Sequence, residues 1–145
     1  MDVKNTMKLS FPSKSQNEGF ARVCISAFAA QLDPTVEEIG DIKAAVSEAV
    51  TNCIVHGYKD TIGMVEMTAK ILPKNTIYIK IRDRGAGIAD VKQAMEPLFT
   101  TCAEGERAGL GFAVMESFMD KLKVTSQLGK GTSVIMTKRL KTRNE

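Results

Sequence analysis

Apolar positions along this chain change spacing at a few well-marked points, and those changes divide it into elements. Residues Met7 to Phe11 alternate weakly, with Met7, Leu9 and Phe11 against Lys8 and Ser10, and predict an edge strand stopped by Pro12. Ser13 or Ser15 then offers an N-cap for a helix running to about Gln31. Its Phe20, Val23, Cys24, Ala27 and Phe28 follow the spacing of one buried face. Asp33-Pro34 marks the next helix start, with Asp as cap, Pro at the first helical position, and Glu37 and Glu38 suiting the dipole. Ile39, Ile42, Val46, Ala49, Val50 and Cys53 carry that helix to an end at Gly57, despite the cost of Gly40 inside it.

Beyond Gly63 the period shortens to two. Val65 to Ile71 and Ile77 to Arg82 alternate, joined by a hairpin turn at Pro73-Lys74-Asn75. One apolar face per strand predicts an antiparallel sheet with helices packed on one side. Ala89 to Met95 reads as a short helix closed by Pro97, and Leu98 to Arg107, with no clean period, as a loop. Ala108-Gly109-Leu110-Gly111 opens a helix carrying Phe112, Val114, Met115, Phe118 and Met119. Leu122–Ser126 and Thr132–Thr137 make a closing hairpin across Gln127–Gly131. With no repeat, low-complexity segment or linker, residues 1–145 read as one domain. The expected fold class is an α/β two-layer sandwich, its sheet mixed but mostly antiparallel and covered on one face by helices.

One polar stripe interrupts the apolar pattern. Within Ser47-Glu48-Ala49-Val50-Thr51-Asn52-Cys53-Ile54-Val55-His56-Gly57, the residues Glu48, Asn52 and His56 recur every fourth position and so stack on one helix face. Burying a carboxylate, a carboxamide and an imidazole without partners costs a few kcal/mol each, roughly. Alone, the stripe reads as a solvated face. A second segment, Asp83-Arg84-Gly85-Ala86-Gly87, directly follows a predicted strand and turns the reading towards a nucleotide.

Composition narrows the classes. A chain of 145 residues with 43% hydrophobic and 26% charged residues is ordinary for a globular domain and long enough for a real core. No apolar run approaches a membrane span, and Met1 to Asn5 lacks the apolar stretch of a signal peptide. Cys24, Cys53 and Cys102 are odd in number and show no metal-ligand spacing, which places the chain in the reducing cytoplasm. The net charge of +3 resides largely in the tail Lys138 to Arg143, and basic residues do not interleave with aromatics, so no direct nucleic-acid role is expected.

Glycine pairs in loops are most often plain turns, but they also let a base or a phosphate chain approach the backbone. Gly109-Leu110-Gly111 at a helix start would aim backbone N–H groups at an anion. Neither pair matches a P-loop or a dinucleotide-binding fingerprint. Asp83 accepts hydrogen bonds without donating and would suit an exocyclic amine such as that of adenine, although Asp before Gly also starts ordinary turns. Asn52 offers a neutral oxygen to Mg²⁺. Glu48, one turn away, could take a proton from an attacking hydroxyl or water, and Arg107 could neutralise charge on a terminal phosphate. His56 reads as a structural histidine. Arg22, exposed beside Ser26, is a candidate partner contact.

Glu48-x-x-x-Asn52, Asp83-x-Gly85-x-Gly87 and Gly109-x-Gly111, in this order, resemble the N, G1 and G2 boxes of the ATPase superfamily of gyrase, histidine kinases and mismatch-repair proteins. Val46 to Asn52 with His56-Gly57-Tyr58, Pro97 to Thr101 and Glu106 to Phe112 more specifically resemble the sporulation anti-sigma F factors, small serine kinases of that superfamily. The resemblance covers Met7 to Thr137 and implies a Bergerat-type ATP-binding fold. It implies that Asn52 holds Mg²⁺ and that Glu48 activates the serine of an anti-anti-sigma protein. Asp83 would bind the adenine amine, with Gly87 admitting the base and Thr132 nearby. Phe99 to Arg107 would form an ATP lid, with Arg107 reaching the phosphates that Gly109 and Gly111 cradle. Gly85, Thr100, Thr101 and Leu110 join the implied nucleotide contacts. The implied partners are sigma factor F, the anti-anti-sigma substrate and a second copy of the chain, with Arg22 in the partner-contact helix. One departure is Cys102-Ala103, which leaves no Lys or Arg between Thr101 and Arg107, so phosphate contact there rests on backbone and hydroxyl groups.

Rival readings are weaker. A histidine kinase would need a helical hairpin with a phosphoacceptor His, whereas the single His lies in the N box. A non-catalytic ATP-binding module would not need Glu48. A general-stress type of anti-sigma kinase is the nearest rival, and the wording of Phe99-Thr100-Thr101 and Ser47–Tyr58 leans towards sporulation.

Overall fold

Strict alternation in five segments builds one sheet. The computed structural model describes residues 2–95 and 103–141, with 103–109 described by backbone path alone. The strands are β1 (Asn5–Pro12), β2 (Met64–Leu72), β3 (Thr76–Asp83), β4 (Lys121–Gln127) and β5 (Gly131–Arg139), in the order β1-β2-β3-β5-β4. Every pairing is antiparallel, which corrects the expectation of a mixed sheet. The reason is connectivity: the segment after β3 crosses to the far edge, and a tight turn then returns β5 beside β3 in the opposite sense.

The helices are α1 (Gln16–Ala29), α2 (Val36–Asn52), a short α3 (Val91–Ala94) and α4 (Ala103–Phe118). Helix α2 packs between α1 and α4. The helical layer meets the buried side of the sheet: Val65, Met67, Ala69 and Ile71 of β2, Ile77, Ile79 and Ile81 of β3, and Val134 and Met136 of β5. Alternate residues such as Thr68, Lys80 and Arg82 face outward, only partly buried. The two-layer sandwich follows directly. Among the described residues no helix is long and apolar enough to cross a membrane.

Several local expectations shift. In α1 the buried residues are Ala21, Ile25, Phe28 and Ala29, whereas Phe20 is 49% and Val23 67% exposed, and Ala27 also faces outward. Both sets satisfy helical spacing, and the packing on α2 decides between them. Ser15 stands at the N-cap position without a side-chain cap bond. Buried Ser13 instead accepts the Gly63 N–H at 3.1 Å through its hydroxyl.

The α2 cap is Thr35 rather than Asp33, whose backbone is left-handed (φ 52°) after a 3₁₀ turn at Ala30–Leu32. Thr35 Oγ1 accepts the Glu38 N–H at 3.0 Å and Glu38 Oε1 accepts the Thr35 N–H at 2.9 Å. This reciprocal box satisfies two orphan donors, which a cap at Asp33 would leave open. Thr35→Ala should therefore lower stability by about 1 kcal/mol, read from the urea midpoint at unchanged slope. At the other end α2 gives way to a π-helical turn, Cys53–Gly57, closed by the Tyr58 N–H on the Cys53 carbonyl at 2.9 Å.

Helix α4 begins at Ala103, not at Ala108. Ala103, Glu104, Glu106 and Arg107 are good helix formers, and acidic residues suit a first turn, which outweighs the cost of Gly105. Residues 103–107, expected as loop, are thus helical. Pro97 and the stretch Leu98 to Cys102, with Phe99, Thr100 and Thr101 of the expected lid, lie outside the described residues, as does Arg143.

Candidate active site

Strand parity places the first chemical group. Ile77, Ile79 and Ile81 of β3 point into the core, so Asp83, two residues on, enters the same buried layer and is 4% exposed. Its carboxylate accepts the Gly85 N–H at 2.9 Å, and Cys53 and Thr132 line the same cavity as it does. Burial dominates over these contacts and raises its pKa above the ordinary aspartate value.

Asp83 forms one end of a cavity of about 280 Å³ that is also lined by Asn52, Cys53, His56, Gly87, Ile88, Phe112 and Thr132. A second cavity, of about 300 Å³, is lined by Glu48, Asn52, His56, Leu110 and Gly111. Asn52 and His56 belong to both, so the α2 stripe is their common wall. A third hollow, outside Glu48, is bordered by Arg22, Lys43, Ala44 and Ser47. Glu48 therefore stands between the second cavity and this third hollow.

The Asn52 amide nitrogen is buried and, among the described residues, has no hydrogen-bond partner. An unmet donor beside a free amide oxygen fits a phosphate oxygen with a hard cation, and Mg²⁺ typically takes few protein ligands and keeps its waters and phosphates.

Two glycines make these distances possible. A Cβ on Gly111 would lie 3.1 Å from both polar atoms of the Asn52 amide and 3.2 Å from Glu48 Oε2. Gly111 thus lets α4 close on the stripe. The N–H groups of Gly109 and Gly111 lie beyond the first four residues of α4, inside its hydrogen-bonded ladder, so the expected helix-start cradle at these glycines is not formed. Gly87 has φ +74°, and a Cβ there would strike the Gln127 carbonyl.

The loop after β3 is sewn down on both sides. The Ala86 N–H bonds the Gly57 carbonyl at 2.8 Å, and the Ala86 carbonyl accepts the Gly129 N–H at 2.7 Å. Ser126 Oγ accepts the Ile88 N–H at 2.7 Å and donates to the Gly131 carbonyl at 2.9 Å, and it also contacts the Thr132 hydroxyl. Tyr58 takes the Arg84 N–H at 2.7 Å and donates to the Met64 carbonyl at 2.8 Å. Sequence reasoning passes over the supporting roles of Tyr58 and Ser126. Their only signal is a polar atom at an otherwise apolar or turn-flanking position.

Arg22 lies on α1, paired with Glu18 at 3.2 Å, and Glu18 accepts the Ser47 hydroxyl one residue before Glu48. The side chain of Arg107 and the contacts of Gly109 lie outside the described residues.

Comparison with known proteins gives this arrangement a lineage. Residues 11–138 match the model of the histidine kinase-like ATPase domain. An anti-sigma F factor of Thermoanaerobacter sp. (strain X514) is 60% identical over 95% of this chain and 96% of its own length. That of Caldanaerobacter subterraneus subsp. tengcongensis is 62% identical over the same shares. One from Clostridium perfringens (strain 13 / Type A) is 53% identical over 97% of this chain and the whole of that protein. Among solved structures, the RsbU and RsbW domains of a Mycobacterium tuberculosis protein align with a TM-score of 0.69 at 18% identity, over 94% of this chain and 33% of that one. A histidine kinase domain from Erythrobacter litoralis aligns at a TM-score of 0.57 and 19% identity, over 85% of this chain and 61% of that one. These two structures speak to the fold, and the closer relatives to the family. The chain belongs to the histidine kinase-like ATPase domain family and, within it, to the anti-sigma F factors.

Proposed function

We propose that this chain is a cytoplasmic ATP-dependent protein serine kinase that also holds sigma factor F, releasing it by partner switching with the anti-anti-sigma protein it phosphorylates. The observation that carries the reading is the shared wall of the two cavities. It sets a buried carboxylate at one end, an unmet amide donor in the middle and a second carboxylate at the open end.

In this reading Mg·ATP supplies the transferable phosphoryl group. Asp83 accepts from the adenine amine, Gly85 and Gly87 keep the backbone close to the base, and Thr132 flanks it. Asn52 turns its amide to the phosphates and Mg²⁺, with Leu110 and Gly111 along the same cavity, Gly109 preceding them on α4, and Thr100, Thr101 and Arg107 from the lid. Glu48 takes the proton of the incoming serine hydroxyl. Its place between the second cavity and the hollow beside Arg22 suits a base that must meet a macromolecular substrate. Arg22 borders the same hollow as Glu48 and would meet the partner there, and a homodimer completes the proposed assembly.

The test is reconstitution. Purified chain is mixed with a sporulation sigma factor and the small anti-anti-sigma protein, with and without Mg·ATP. Sigma capture dependent on ATP, together with phosphoserine on the small protein, is expected. Nucleotide binding with neither result would leave a non-catalytic module, and capture of a general-stress sigma factor instead would favour that sister type. Asn52→Ala should weaken nucleotide binding in the presence of Mg²⁺ by about tenfold or more, an effect of order 1.5 kcal/mol. Unchanged magnesium-dependent affinity by calorimetry would remove Asn52 from the site.

A further inference from the structure

Asp83 of β3 stands directly opposite Thr132 of β5, and Thr132 stands opposite Ser126 of β4. Asp83 and Thr132 line the nucleotide-sized cavity, and Ser126 is one strand further out. A serine hydroxyl has one proton to give and two lone pairs to fill. Ser126 Oγ meets three partners: the Ile88 N–H at 2.7 Å, the Gly131 carbonyl at 2.9 Å and the Thr132 hydroxyl at 2.7 Å. The first can only donate and the second can only accept. The Gly131 carbonyl therefore takes the Ser126 proton, the Ile88 N–H fills one lone pair, and the other is left for the Thr132 proton. In no other assignment are all three contacts hydrogen bonds. Were Ser126 to donate to Thr132 instead, two oxygens would face each other at 2.9 Å with no proton between them. Gly131 has little freedom to relieve such a contact, because its φ is +120° and a Cβ there would strike the Asp83 carbonyl.

We propose that Ser126 is a positioning residue that sets base specificity: by drawing the Thr132 proton to itself it leaves the Thr132 lone pairs for the cavity, so that Asp83 and Thr132 present acceptors alone and select a 6-amino purine over a 6-oxo purine. The inference rests on the reading of Asp83 and Thr132 given under the proposed function. A 6-amino group brings two N–H donors, one for each acceptor. A 6-oxo group brings lone pairs to both and is repelled. A carboxylate alone discriminates less, since it also accepts from the ring N–H that a 6-oxo purine carries beside its oxygen. A threonine hydroxyl left to itself would not add to the choice, because it turns its proton to suit either base. The contact with Ser126 removes that freedom.

The test measures binding of ATP, inosine triphosphate and purine riboside triphosphate, which carries neither group at position 6, by calorimetry on the full chain. In Ser126→Ala the Thr132 proton is free to turn into the cavity. The preference for ATP over inosine triphosphate should then fall by about fivefold, the scale of one modest hydrogen bond. Ser126→Thr keeps the hydroxyl and should keep the wild-type ratio. A role confined to folding would weaken all three nucleotides alike. An unchanged ratio in Ser126→Ala, beside a reduced one in Asp83→Asn, would therefore overturn the role of Ser126 and leave that of Asp83 standing. A wild-type ratio in Asp83→Asn would overturn both. Thr132→Val removes the cavity hydroxyl at nearly constant size and gives an answer however well Ser126→Ala folds. The ATP preference should fall about as far in that variant, and a wild-type ratio there would overturn the proposal.

Discussion

Glu48→Gln should bind ATP as wild type does, within about twofold, while serine phosphorylation falls by about 10²-fold or more. The substitution preserves size and removes only the ability to take a proton. General bases contribute roughly 10²–10⁴-fold, and in phosphoryl transfer, where bond formation lags behind bond breaking, the lower end applies. Glu48 stands in the cavity away from Asp83 and beside the open hollow, so its loss should appear in kcat with KM for ATP unchanged. A single-turnover assay of phosphoserine formation decides the matter. A wild-type rate in the variant would take Glu48 out of the chemistry. Sigma capture, which asks only for bound nucleotide, should survive.

Asp83→Asn should trade affinity for stability. A charged hydrogen bond to the adenine amine is worth about 1.5–3 kcal/mol, so ATP affinity should fall by roughly 10- to 100-fold. Folding stability should hold or rise, because the variant no longer buries an ionised carboxylate whose pKa is raised chiefly by desolvation. The pH dependence carries the same sign. With the folded pKa above the unfolded one, the native state binds more protons in the window between them. Stability due to this group is therefore highest below that window and declines as pH rises through it. Binding runs the other way, because the ionised carboxylate is the better acceptor. Wild-type ATP affinity should weaken on acidification at a pH above the ordinary aspartate range, and Asp83→Asn should lack that step. Equal ATP affinity in the two proteins at neutral pH would rule out Asp83 as the reader of the base.

Much of this architecture is legible in one dimension. Period-two alternation in β2 and β3 determines both the strands and their buried faces, and extending the parity from Ile77 to Asp83 places the carboxylate in the core layer. Spacing by four determines that Glu48, Asn52 and His56 share a wall, and the structure keeps them together despite the π-helical turn. These are local consequences of backbone geometry, so the residue order suffices for them.

What spacing could not decide was left to contacts between distant segments. Helix α1 carries two apolar stripes of equal regularity, and only docking on α2 buries Ala21 and Ile25 while leaving Phe20 and Val23 outside. Thr35 displaces Asp33 as cap because a reciprocal pair with Glu38 satisfies more donors than a lone carboxylate can. Gly109 and Gly111 look like a helix start, yet α4 begins earlier, and Gly111 serves close approach to Asn52 and Glu48. The close approach of Gly57 to the Asp83 carboxylate joins residues far apart in the chain and has no periodic signature at all. The sequence by itself thus determined the strands with their buried faces, the existence of the main helices and the residue types that line the cavities. Tertiary structure alone decided which of the two α1 stripes is buried and that Gly111 closes α4 on Asn52 and Glu48, because those choices depend on burial and hydrogen-bond satisfaction summed over segments far apart in the chain.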